Sequence, residues 1–230
     1  MGALYASGYS VDEIEKIFYS EEFQYWLTGE IEDKYVWFFK KSVRSPRMLS
    51  VAFDTKNKFS LQLPTSIMDP VQMDYAFLEI FSSATTACNG DFDSLMIPFF
   101  CVASDIEDNK ESVRTSGDLG LSVRASMTFP FVFSPIELDG KIMFDGGMYN
   151  NFPAKHMLET YHPDIIIGVK VAGNFPPPKE GNMRSYLENM LTTSSDYNVY
   201  CANSVLIEPN LGSIGVMEFD KMRECDRAGY

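Results

Sequence analysis

Apolar and polar positions alternate along this chain with two different periods, and the period switches repeatedly. Residues 1–8 read as the end of a small-residue helix closed by Gly8, an element too short to nucleate alone. Ser10-Val11-Asp12-Glu13 forms a capping box, with Ile14, Ile17 and Phe18 as the apolar stripe behind it. A second short helix starts at Ser20. Residues 31–63 carry aromatic and β-branched clusters broken by Pro46 and Asn57, the pattern of irregular strands or of an excursion. Asp69-Pro70 opens another helix, with Pro70 in its first turn and Met73, Phe77 and Ile80 on one face.

Beyond that point strand and helix signals take turns. Residues 97–103 are an apolar run suited to a strand buried on both faces. Residues 118–127 read as a helix with Leu119, Val123 and Met127 inward. Residues 136–144 make a hairpin through Asp139-Gly140. A helix from Pro153, a strand over 165–169, a helix around 182–200 and a strand over 205–207 complete the series. Gly173–Gly181, with prolines at 176–178, reads as a loop within the domain. The alternation predicts an α/β fold with a mostly parallel sheet between helices, in one domain over 1–230.

Composition narrows the function classes. At 230 residues, with 45% hydrophobic and 22% charged, the chain can build a large core without disulfide or metal staples. Its net charge of −13 argues against nucleic acid and against a broad dock onto anionic lipid, leaving local contacts with a membrane surface. The four cysteines are scattered, with no CxxC pair and no nearby histidine, so no metal site is expected. Cys101, inside an apolar run, reads as a small buried hydrophobe. No run of about 18 apolar residues and no signal-peptide pattern occurs, which slightly favours the cytoplasm.

The chemistry concentrates at Asp145-Gly146-Gly147, followed by Asn150-Asn151-Phe152-Pro153. An apolar strand, Ile142-Met143-Phe144, delivers an acid to its C-terminal end, where open α/β sheets place their sites. The two glycines permit positive φ and close approach of a ligand or another backbone. The plain alternative is a turn-forming Asp-Gly pair. His156 and His162 invite a Ser–His–Asp reading but read better as surface or capping histidines. Arg124 either supports a loop at the site or pairs with an acid. Tyr35-Val36-Trp37-Phe38-Phe39-Lys40-Lys41 reads as a half-buried strand in preference to an interfacial anchor.

Gly117-Asp118-Leu119, Arg124-Ala125-Ser126-Met127, Phe129-Pro130, Phe133-x-Pro135, Asp145-Gly146-Gly147 and Asn150-Asn151-Phe152-Pro153 occur in that order. As a series they resemble the patatin-like phospholipase family. Leu4–Ser10, the run Ile97-Pro98-Phe99-x-Cys101-Val102-Ala103-Ser104-Asp105 and Ile207-Glu208-Pro209-Asn210-Leu211-Gly212 extend the likeness over nearly the whole chain. The resemblance implies a three-layer α/β/α fold and hydrolysis of lipid acyl esters by a Ser–Asp dyad, without a cofactor. Asp145 matches the dyad aspartate, and Gly146 and Gly147 its supporting motif.

In that family the nucleophile lies in Gly-x-Ser-x-Gly, and an upstream glycine-rich loop forms the oxyanion hole. Neither segment is found here; Ser213 comes closest, in Gly212-Ser213-Ile214-Gly215, but Leu211 replaces the first glycine. The expectation is therefore a piece of a lipid acyl hydrolase, cut at both ends. It starts just after the nucleophile elbow, lacks the N-terminal strand, and is inactive by itself. The competing expectation is a non-catalytic patatin-fold domain that binds lipid or protein. Loss of a strand would also expose apolar surface and favour self-association.

Overall fold

The first helix has no side-chain cap, whereas serine caps start the second and third helices of the computed structural model. It describes residues 1–31, 50–53, 59–62, 68–130, 132–173, 193–212, 214, 218 and 221–229. Helix α1 (Gly2–Ala6) buries Ala3, Leu4 and Ala6 and ends before Gly8, whose φ of 99° only glycine adopts readily. Helix α2 (Val11–Phe18) has the full capping box, with Glu13 N–H donating to Ser10 Oγ and Ser10 N–H donating to Glu13. Ser20 caps α3 (Glu21–Thr28) through the Phe23 amide at 3.2 Å. An antiparallel pair, β1 (Ser50–Phe53) and β2 (Phe59–Gln62), follows.

Helix α4 (Val71–Ala87) starts one residue later than its sequence suggests. Pro70 stands at the N-cap, and Asp69 Oδ1 accepts from the Val71 amide at 3.1 Å. Met73, Ala76 and Phe81 are its buried residues. Strand β3 (Cys101–Asp105) is likewise displaced from the apolar run. Pro98 removes a ladder donor, and the Phe99 amide donates to the Phe92 carbonyl instead, so pairing begins at Cys101. From Val102 to Asp105 the strand is buried on both faces.

Strand β4 (Lys110–Arg114), helix α5 (Leu119–Ser126, capped by Asp118), β5 (Ile136–Leu138) and β6 (Lys141–Asp145) complete the first compact unit, Met1–Gly146. The β5–β6 turn has φ of 54° at Asp139 and 74° at Gly140, the left-handed pair that a two-residue hairpin demands. The expected parallel sheet is not what these strands form: the order is β4-β3-β6-β5 and every pairing is antiparallel. Tight turns join β3 to β4 and β5 to β6, which fixes those two pairs as antiparallel. Helix α5 packs Ala125 against Ala103, Leu138 and Met143 of this sheet. Ala3, Leu4, Ile14, Phe81, Phe92 and Leu119 form the second core of the unit.

The second compact unit, Gly147–Tyr230, holds helix α6 (Ala154–Tyr161), strands β7 (Ile166–Val169) and β8 (Ser204–Ile207), and helix α7 (Met222–Gly229). β7 and β8 are the parallel pair. Residues 193–200 are not helical. The Asp196 side chain accepts from the Asn198 amide and from Tyr200 Oη, local bonds that compete with a helix. The expectations for residues 35–41, 174–192 and Ser213 lie outside the described residues. The whole is α/β. Among the described residues no helix is long and apolar enough to cross a membrane.

Candidate active site

Asp145 is the last residue of β6, half-buried, and directly opposite Ala103 of β3. Residues opposite one another in an antiparallel pair share a face, so Asp145 lies on the face that α5 covers. Because β3 runs against β6, the end at which β6 stops is the end at which β3 begins. Phe99, two residues before β3, stands 3.4 Å from where a Cβ on Gly2 would lie. Helix α1 and Asp145 therefore sit at the same end of this sheet.

Gly146 is required by proximity. A Cβ there would lie 2.4 Å from the Val102 carbonyl oxygen and 2.8 Å from its carbon. Neither Gly146 nor Gly147 uses the positive φ that glycine permits. With Met148 they form a 3-10 turn that carries the chain out of the sheet into the second unit. There Asn150 Oδ1 accepts from the Phe152 amide, the Asn151 amide donates to Ser195 Oγ at 3.0 Å, and Phe152 packs its ring 5.5 Å from that of Tyr197.

The two histidines have structural places. His156 Nε2 lies 3.2 Å from Thr160 Oγ1, one turn along α6. His162 ends α6 in the left-handed conformation, with φ of 45°. Arg124 is 2% exposed and pairs with an acid, one of the two alternatives the sequence left open. Its Nε donates to Asp74 at 2.7 Å and its Nη1 to Thr128 Oγ1 at 2.6 Å, and the guanidinium lies 5.1 Å over the Phe133 ring. Thr128 follows α5 and its carbonyl accepts from the Asp145 amide at 2.9 Å. Ser104 Oγ donates to the Asp145 carbonyl at 2.8 Å. Thr128 lies in none of the sequence motifs, and Ser104 only within the run over 97–105, with nothing to mark its bond to Asp145.

All four cysteines are free thiols, and burial pushes the Cys101 thiol up to about 12, against a smaller opposing pull from Arg114. That makes it a poor nucleophile at neutral pH. Among the described residues no group of three or more His, Cys, Asp or Glu side chains could hold a metal ion.

The sequence model described as patatin-like phospholipase matches residues 1–158, which spans the acid, its glycines and the α5 motif. The chain belongs to the patatin-like phospholipase family. An uncharacterized NTE family protein of Mycobacterium bovis is 31% identical over 119 residues, covering 50% of this chain and 33% of that protein. Another, from Mycobacterium tuberculosis, is 25% identical over 158 residues, covering 57% of this chain and 27% of its own length. Lysophospholipase NTE1 of Phaeosphaeria nodorum is 28% identical over 83 residues, or 36% of this chain and 5% of the fungal protein. This patatin-like chain thus covers a third or less of the length of these relatives.

Proposed function

We propose that this chain is the acid-bearing part of a lipid acyl hydrolase, with Asp145 as the carboxylate of a Ser–Asp dyad and Gly146 and Gly147 as its supporting turn. The observation that carries the reading is the position of Asp145: the final residue of an internal strand, in a chain of the patatin-like phospholipase family. A carboxylate there can accept the proton of a serine hydroxyl within about 2.6–3.2 Å, with no imidazole between. The serine oxygen then attacks the acyl carbonyl, the alcohol leaves, and water hydrolyses the acyl-enzyme.

These 230 residues contain no Gly-x-Ser-x-Gly. A dyad on Asp145 needs a serine and oxyanion donors that these residues do not supply in that motif, so by themselves they are expected not to hydrolyse esters. Loss of one oxyanion donor alone typically costs about 10²–10³ in rate. Substrates are lipid acyl esters, reached through local apolar contact because the net charge of −13 disfavours an anionic surface.

The test compares the 230-residue chain with the same residues joined to a serine-bearing Gly-x-Ser-x-Gly segment. Hydrolysis of p-nitrophenyl acyl esters and fluorophosphonate labelling are the readouts. The expected result is neither in the short chain and both in the joined protein. A joined protein that binds lipid vesicles yet neither hydrolyses nor labels would establish a non-catalytic binding domain instead. Stoichiometric labelling of a serine within these 230 residues would reveal a different nucleophile.

A further inference from the structure

Asp145 is gripped by its backbone on both sides, and neither grip belongs to the regular sheet ladder. Its N–H donates to the Thr128 carbonyl at 2.9 Å, and its carbonyl accepts from Ser104 Oγ at 2.8 Å. Ser104 and Thr128 are both 0% exposed. Thr128 is itself locked, since its hydroxyl donates to the Arg124 carbonyl at 2.7 Å and accepts from Arg124 Nη1 at 2.6 Å. Arg124 is held in turn by Asp74, by the Ser134 carbonyl at 3.4 Å and by the face of Phe133.

We propose that Ser104 and the Arg124–Thr128 pair are positioning residues that aim the Asp145 carboxylate, an inference that rests on the dyad reading. The physical need is specific. β6 ends at Asp145 and the chain turns out of the sheet at once, so the ladder does not continue past the acid to hold it. A dyad has no intermediate imidazole whose rotation could absorb a misplaced carboxylate. A displacement of 1 Å can cost about 10²-fold in rate. Hydrogen bonds in a dry site hold geometry better than exposed ones, and both anchors are dry. Ser104 and Thr128 act through the Asp145 backbone, without contact to substrate.

Two substitutions isolate the role. Ser104→Ala removes one hydroxyl and its bond to Asp145. Thr128→Val keeps the side-chain shape but cuts the tie to Arg124, and Thr128→Ser restores it. In the 230-residue chain, amide hydrogen exchange is expected to accelerate roughly ten-fold or more at Asp145 and Gly146, with Met143 and Val102 unchanged. Thr128→Ser returns to the parent rate. In the protein joined to a serine-bearing segment, Ser104→Ala and Thr128→Val should lower kcat by about 10²-fold at unchanged KM.

Exchange that rises equally across β3 and β6, or not at all, would show a merely structural role and overturn the inference. If Thr128→Val does not fold, Ser104→Ala alone decides. Asp145→Asn separates the two readings. Full activity in that variant sinks the dyad itself. Lost activity there, with kcat intact in Ser104→Ala and Thr128→Val, sinks only the positioning role.

Discussion

At Gly146 the absent side chain matters for packing. The backbone of β6 leaves the sheet where it touches Val102, and a methyl group would overlap the Val102 carbonyl oxygen at 2.4 Å. Backbone cannot yield as a flexible side chain does, so Gly146→Ala should destabilise the chain by about 1–3 kcal/mol, the usual range for overpacking. Urea unfolding measures it, and an unchanged midpoint would mean that the turn relaxes freely. The acid itself was legible because strand, acid and two glycines are contiguous in sequence. Its anchors were not: Ser104 and Asp145 are 41 residues apart, and a side-chain bond to a backbone carbonyl leaves no periodic trace. Arg124 was visible as a charge inside a helical pattern, but only packing reveals that it serves Asp74 and Thr128 together.

Helix starts were legible at the scale of elements because caps are local chemistry. Ser10, Ser20 and Asp118 each accept from the third amide that follows. Strand direction was not, because an apolar run carries no record of its partner; hairpin turns set β3–β4 and β5–β6 antiparallel, and β3–β6 is antiparallel as well. At the end of that sheet away from Asp145, Lys141 of β6 ties down the β3–β4 turn. Its Nζ donates to Asp105 at 2.6 Å and to Asp108 at 2.5 Å. The Lys141 hydrogen bond, then Lys110, hold the Asp108 carboxyl at about 2; the Lys141 bond, then the Asp108 amide, hold buried Asp105 below its ordinary range. Carboxylates depressed in this way stabilise the fold above their ordinary value of 3.8 and lose that contribution as pH falls through the lowered value, about 2 for Asp108. The same partners raise Lys141, so its own contribution is complete below 10.5 and is lost only at more alkaline pH. Lys141→Met should therefore lower the urea midpoint at neutral pH, with the difference from the parent closing between about pH 4 and pH 2. Salt should shrink it too, since Asp108 is half exposed. A difference that persists undiminished at pH 2 would assign the loss to packing of the lysine stem.

On the scale of the whole molecule, the family match over residues 1–158 runs across the boundary at Gly146 between the two compact units. In the second unit, the parallel pair β7–β8 leaves Ile167 and Val169 exposed while Ile166 and Gly168 are buried, so one face of β7 is covered and the other is not. Family and α/β class could be read from ordered motifs spread over the chain. The division into units could not, because Gly146 and Gly147 are adjacent in a single motif. If Asp145 is the base of a Ser–Asp dyad, Asn must fail in its place, being nearly isosteric but unable to take the proton. The deciding measurement is kcat for p-nitrophenyl ester hydrolysis in the joined protein carrying Asp145→Asn, with the urea midpoint recorded alongside. General-base catalysis typically contributes about 10²–10⁴, so a fall of at least about 10²-fold at an unchanged midpoint is predicted. A folded Asp145→Asn variant that hydrolyses the ester at the parent rate would contradict the claim.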